Sequence, residues 1–278
     1  MTTTASPSAP APTPAEPHVP HHRVHVVQLA GTAGTTVNLP LAFSTPIRPD
    51  LIRRAVVAAQ SHRRQPHGTK LTAGARHSVQ WSGKGKGVAR TPRLMDSMRG
   101  AQSPNTVGGR PAHPPKVDTI WTKKVNAKER RLAFASAIAA TRLPEVVRAR
   151  GHQFAEDVHL PVVVEDAVES IATSAQARAF LDGAHLWTDI ERAQDGVHVR
   201  AGKGKRRGRF RRAPKSLLVV TSAPGKARGF RNLSGVDVVP VGRLGTEDLA
   251  PGGAPGRLTV FAHAALALLD GRLGGSGP

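Results

Sequence analysis

Between Gln60 and Asp118 the chain shows neither of the hydrophobic periods that build regular structure. An amphipathic helix repeats apolar side chains every three or four positions, and a half-buried strand every two. Here Leu71, Val79, Trp81, Val88, Leu94 and Val107 are scattered among Gly, Pro, Arg and Lys. A run this long without structure is abnormal inside a compact domain and marks a functional or disordered segment. From Arg53 to Lys116 there are thirteen basic residues and one acid, Asp96. Such a segment repels itself and calls for a polyanion around it.

Regular patterns flank the stretch on both sides. "RVHVVQL" (23–29) reads as a strand, and "TPIRPDLIRRAVVAAQSHRR" (45–64) as a helix entered after its prolines. In that helix Leu51, Ile52, Ala55, Val56 and Ala59 share a face at helical spacing, with Arg53 and Arg54 turned away. "NAKERRLAFASAIAAT" (126–141) predicts an alanine-rich helix opened by a capping box of Asn126 and Glu129. Short continuous apolar runs at 160–166, 216–222, 236–241 and 257–262 carry the signature of buried parallel strands. Helical stretches are expected at 167–183 and 186–194, and "HAALALLD" closes the chain as another. Strands alternating with helices predict an α/β fold: a single mainly parallel sheet with flanking helices, a Rossmann-like layer, plus a long extended basic loop. Residues 1–22, rich in Ala, Pro, Ser and Thr, bury too little to offset ordering entropy and read as a disordered tail. Residues 23–270 then form one α/β domain interrupted by the loop at about 61–118, and 271–278 a flexible C-terminus. His18, His21, His22 and His25 lie close together, but read as a polar tail running into a strand; no metal and no cofactor are expected.

Charge narrows the partners. Forty Lys and Arg against nineteen acids give a net +21. A protein with that balance binds polyanions. No run of eighteen apolar residues exists to span a membrane, and the start has neither a basic nor an apolar region of a secretory signal. Cysteine is absent, so thiolate zinc sites, disulfides and iron–sulfur clusters are excluded.

The glycine–lysine motifs test one enzymatic reading. "WSGKGKGVARTPR" (81–93) and "RAGKGKRRGRFRR" (200–212) share a Gly-Lys-Gly-Lys unit. A nucleotide P-loop needs Ser or Thr after its lysine to hold magnesium, whereas Gly or Arg follows Lys84, Lys86, Lys203 and Lys205. No nucleophile elbow or zinc-binding helix motif occurs. Glu165 and Asp166 end a predicted strand, where they serve either catalysis or the start of the next helix. No catalytic set emerges, and the chain is not expected to be an enzyme. Flexible glycine backbone with long cationic stems suits sequence-independent phosphate contact instead. The basic loop contains one aromatic other than His, Trp81, so a multi-ring stacking sheet is unsupported. Trp81 either stacks on a base or packs on protein.

At this point several long motifs resemble one family. "TPIRPDLIRRAVVAAQS" (45–61), "GRPAHPPKVDTIWTKKVNAKERRLAFASAIAAT" (109–141), "VRAGKGKRRGR" (199–209, with Val199 where the family has Ile) and "DLAPGGAPGRLTVF" (248–261) are similar, in order, to the large-subunit ribosomal protein L-four family in its archaeal and eukaryotic form. The resemblance implies a structural constituent of the large ribosomal subunit, cytoplasmic and ribosome-bound. It implies binding to 23S-type rRNA, neighbouring ribosomal proteins as partners, no membrane and no homo-oligomer. A free nucleoid or regulatory nucleic-acid binder is the alternative. Expected rRNA contacts are Arg53, Arg54, Arg63, Arg64, Lys70, Arg76, Trp81, Lys84, Lys86, Arg90, Arg93, Arg99, Arg110 and Lys116 in the first basic region. In the second they are Arg200, Lys203, Lys205, Arg206, Arg207, Arg209, Arg211 and Arg212. The family's loop tip lines the peptide exit tunnel, which here implies Lys84, Lys86, Arg90 and Arg93 beside the nascent peptide. Asp96 departs from the neutral and basic residues expected near that tip. The long basic C-terminal tail of eukaryotic members is missing, so the archaeal type is expected.

Overall fold

The computed structural model describes residues 22–273. The expected N-terminal tail up to residue 21, and residues 274–278, lie outside it. The chain divides into two compact units, one formed by the residues up to Val57 and from Val125 onward, the other by Ala58–Lys124.

The first unit is built on a mixed six-stranded sheet. Its strands are β1 (Arg23–Val27), β2 (Ala33–Asn38), β5 (Val162–Val164), β8 (Leu218–Thr221), β9 (Asp237–Pro240) and β10 (Thr259–Ala262), in the order β2-β1-β5-β10-β8-β9. Parallel pairing joins β1 to β5, β5 to β10, β10 to β8 and β8 to β9. The expected apolar runs supply β5, β8, β9 and β10, and β5, β8 and β10 are buried at every position. Such strands face packed layers on both sides, which is why they read as unbroken Val/Leu/Phe runs.

β2 is the strand of this sheet that sequence reading missed. It pairs antiparallel with β1 at the sheet edge, and "AGTTVN" exposes most of its side chains, so no apolar alternation marks it. The sheet is therefore mixed. Its six-stranded order also places β1 beside β5, across the whole Ala58–Lys124 insertion in sequence.

Helices cover both faces: α1 (Pro49–Ser61), α2 (Ala127–Ala140), α3 (Pro144–Ala149), α4 (Ser174–Gly183), α5 (Trp187–Asp195), the one-turn α6 (Thr246–Leu249) and α7 (His263–Leu273). None is long and apolar enough to cross a membrane. One cluster joins Ile52, Val56, Phe134 and Ile138 to Phe43 and Phe261, whose rings meet edge to face at 5.6 Å. The other packs Phe180, Leu181 and Ile190 against Val162, Val164 and Val219, on the sheet's opposite face. Along β5 this follows from alternation: Val163 points to the first cluster, Val162 and Val164 to the second.

Three local expectations are corrected. In α1, Ile52, Ala55, Val56 and Ala58 are buried, whereas Ala59 is exposed. The buried stripe thus drifts one position from the face assigned by spacing. The capping box of α2 does not form: Asn126 makes no side-chain cap, and Glu129 reaches Arg54 on α1 at 3.3 Å. An ion pair to a neighbouring helix replaces the local bond. The helix expected over 167–183 breaks into a 3-10 turn, Asp166–Ser170, and α4, because Thr173 caps α4 by accepting from the Gln176 amide.

The second unit has its own structure where periodicity predicted none. Strands β3 (Val79–Trp81) and β4 (Pro92–Leu94) form an antiparallel hairpin, extended by a bridge between Arg93 and Gly100. Before and after the hairpin, the outgoing and returning limbs run close together. The Thr69 amide donates to the Pro115 carbonyl at 3.2 Å, and Gln102 Nε2 donates to the carbonyls of Ala75 and His77. At Gly74 a Cβ would come within 2.7 Å of the Arg110 backbone, so only glycine permits this approach.

Candidate nucleic-acid interface

The two Gly-Lys-Gly-Lys units occupy equivalent places. The first forms the turn of the β3–β4 hairpin. The second forms the turn between β6 (His198–Val199) and β7 (Arg211–Arg212), another antiparallel pair. Both turns project their cations into solvent.

In the first turn Gly83, Gly85 and Gly87 have φ of +70°, +79° and +68°, and a Cβ at any of them would meet nothing within 4 Å. Glycine is needed there for the left-handed backbone, not for packing. Lys84, Lys86 and Arg90 are exposed around it, and Trp81 is 67% exposed at its base. Arg93 behaves differently. It is half-buried, and its two terminal nitrogens donate to the carbonyls of Met98 (2.7 Å) and Ala89 (3.1 Å). It therefore ties the tip together, a role that spacing did not suggest. The Ser82 hydroxyl adds a bond to the same Ala89 carbonyl.

Other predicted contacts lie along the limbs of this unit. Lys70, Arg99, Arg110 and Lys116 are exposed. Arg76 is exposed and donates to the Thr72 hydroxyl, while the Arg64 guanidinium stacks 3.9 Å over Trp121. Arg63 is exposed beyond α1. Leu71, Val107, Val117 and Ile120 expose 60–85% of their surface on the same limbs. In the first unit Arg53 and Arg54 are exposed on α1, Arg54 in its ion pair with Glu129.

In the second hairpin Lys203–Arg207 form a 3-10 turn with no buried residue. Lys203, Lys205, Arg206, Arg207, Arg209, Arg211 and Arg212 are all solvent-facing. Arg200 is half-buried, its amide donating to the Phe210 carbonyl and its Nε to the Arg209 carbonyl.

The base of this hairpin is pinned by a buried polar network. Asp189 on α5 has no exposed surface and accepts bonds from His152 Nδ1 (3.0 Å), the Gln153 amide, Arg192 Nε and the Ser216 hydroxyl. An ionised carboxylate only accepts, so Nδ1 of His152 carries the proton. Burial opposes the charge, but the bonds from His152 and Arg192 prevail and hold the carboxyl at about 2. Arg192 also donates to the Lys215 carbonyl, so α5 grips the chain where it leaves the hairpin. Beyond it Arg257, 1% exposed, donates to the Ser216, Leu217 and Gly235 carbonyls and pairs with Asp237 at 2.6 Å. Burial weakens its proton affinity, and Asp237 partly restores it.

These buried groups are not a catalytic set. The Ser216 hydroxyl and the His152 ring each spend their bond on Asp189, so they provide no nucleophile–base pair. Asp166 opens the next 3-10 turn, as expected, but its carboxylate accepts the Ala264 amide in the first turn of α7, a contact the sequence did not suggest. Among the described residues no group of acids and histidines is arranged to hold a metal ion.

Sequence reading stopped its basic count at Lys116 and so missed Lys123, Lys124, Lys128, Arg130 and Arg131, all of which are exposed. Their signal was available, since "KKVNAKERR" (123–131) contains a single acid. Phe210, 54% exposed between Arg209 and Arg211, was also missed because it was read only as part of a basic run.

Comparison with known proteins finds one family match that spans both cationic hairpins. The model of the ribosomal protein L4/L1 family matches residues 37–272. The large ribosomal subunit protein uL4 of Methanopyrus kandleri is 49% identical over 252 residues, covering 88% of this chain and 97% of the relative. Those of Methanococcoides burtonii (48% over 244 residues, 87% and 96%) and Haloquadratum walsbyi (47% over 239 residues, 86% and 95%) are similar to comparable extent. With four of the sheet's strands, the insertion and both hairpins inside the matched span, the chain belongs to the ribosomal protein L4/L1 family.

Proposed function

We propose that this chain is a structural constituent of the large ribosomal subunit, in the cytoplasm, that binds 23S-type rRNA and supports subunit assembly without catalysing a reaction. The observation that carries this reading is the match over nearly the whole length of archaeal large-subunit proteins. The geometry supplies a mechanism. Two hairpin turns present lysine and arginine on backbones that approach phosphates closely, and each phosphate contact releases condensed counterions. The first unit, with its large apolar core, serves as the anchor. The Ala58–Lys124 unit, rich in exposed cations and exposed apolar side chains, orders against rRNA and stabilises the rRNA arrangement in return. Its tip, with Lys84, Lys86, Arg90 and Arg93, lines a constriction of the exit tunnel beside the nascent peptide. Arg93 does so by holding the turn's shape. Neighbouring large-subunit proteins complete its surroundings.

Sedimentation of a native lysate through a sucrose gradient, with this chain probed before and after RNase, tests the reading. Stoichiometric co-migration with large subunits through a high-salt wash supports it. A chain found mainly at the top of the gradient, or shed by moderate salt, establishes a free nucleic-acid binder instead.

A further inference from the structure

The chain has three Trp, seven Phe and no Tyr. Among the described residues only two of these rings, Trp81 and Phe210, are more than half exposed, and each stands on one of the two Gly-Lys-Gly-Lys hairpins. An exposed ring on a protein with a well-filled core calls for a partner. We propose that Phe210 is a stacking platform for an unpaired RNA base, set among cations that hold the flanking phosphates; the inference rests on the rRNA-binding reading above.

Three observations carry it. First, the ring has no architectural task. The β6 and β7 strands are exposed throughout and the turn between them buries nothing, so no local core needs Phe210. Second, its position is fixed without the ring. The Phe210 carbonyl accepts the Arg200 amide at 2.9 Å, and His198 and Val199 pair with Arg212 and Arg211. A platform held by its backbone loses little entropy when a base lands on it. Third, the surroundings select the occupant. Arg200 to Arg212 includes eight basic residues and no acid. Alternation along the strand puts Arg212 on the side of Phe210, and Arg209 and Arg211 on the other. A paired base shows a protein only its edge, whereas an unpaired one offers a π-face to an aromatic ring. The ligand is therefore a bulged or looped nucleotide within structured RNA.

Stacking is tolerant of base identity, so a generic probe suffices. The full-length protein is titrated with two synthetic RNA duplexes that differ only in a single bulged adenosine. Wild type is compared with Phe210→Ala, Phe210→Leu and Phe210→Trp, each also in a Trp81→Ala background to silence the other exposed ring. The Trp81→Ala protein should prefer the bulged duplex by about 5- to 150-fold, as one stacked base predicts. Phe210→Ala should abolish that preference in this background, leaving affinity for the paired duplex and its salt slope unchanged. Phe210→Trp should keep it, and Phe210→Leu, apolar but without a π-face, should lose most of it. Retention of the full preference by Phe210→Ala or Phe210→Leu overturns the proposal. So does affinity for poly-glutamate over both RNAs, which makes the hairpin a protein-docking element. Co-sedimentation with large subunits is unaffected by any of these outcomes, so failure of the stacking site and failure of the ribosomal role are read separately.

Discussion

Asp189 shows how one side chain can hold a functional element without touching a ligand. Its carboxylate gathers His152, Gln153, Arg192 and Ser216 at the base of the second hairpin, in the interior of the first unit. Removing one member of a buried charged cluster leaves its partners unmatched, and such losses run to about 3–5 kcal/mol. Asp189→Asn should therefore lower the unfolding free energy measured in urea by an amount in that range, while Asp50→Asn, at an exposed pair with Arg48, should scarcely move it. The pH dependence has a definite sign. A carboxyl that titrates at about 2 when folded, against the ordinary value near 3.9 in the unfolded chain, contributes stability that is complete above about pH 4. That contribution fades as the pH falls toward about 2. Urea midpoints measured from pH 5 to about pH 2 should thus converge for wild type and Asp189→Asn at the acid end.

The hairpins put different demands on their residues. Arg93 links the Ala89 carbonyl of the β3–β4 turn to the Met98 carbonyl of the turn that follows β4, a span that one lysine ammonium lacks the forked geometry to copy. Arg93→Lys should therefore speed amide exchange at Leu94 and Ala101, which close the turn that follows β4, by roughly tenfold, the equivalent of about one lost charge-assisted bond. Glycine positions separate in the same way. Gly74→Ala drives a Cβ into the Arg110 backbone and should expose both limbs to limited proteolysis. Gly85→Ala meets open space and incurs only the left-handed penalty of about 1–2 kcal/mol. Its proteolysis pattern should stay close to wild type. Neither distinction could be read from the letters, since both are glycines in a basic, aperiodic segment.

At the scale of the molecule the cations act together. Replacing Lys203, Lys205, Arg206 and Arg207 by Gln should reduce the log–log salt slope of RNA binding by about 3, at 0.7–0.9 per phosphate contact. The fold should stay intact, because the turn carrying them buries nothing. By itself the sequence determined those features that composition and short-range pattern carry. The apolar runs of β5, β8 and β10 announced a buried sheet, the alternating strands and helices an α/β layer, and the excess of Lys and Arg a polyanionic partner. Burial forces apolar side chains inward and like charges outward, so these signals survive in any one-dimensional reading. Tertiary structure alone decided the rest. It added β2, whose exposed edge needs only a neighbour's backbone and no apolar side chain. It drew Glu129 from a local cap to Arg54, and gave the Arg93 guanidinium carbonyls from the turns on either side of β4. It also set Trp81 and Phe210 beside the two basic turns, Trp81 where the chain enters one and Phe210 where it leaves the other, because which strands pair decides where a hairpin forms.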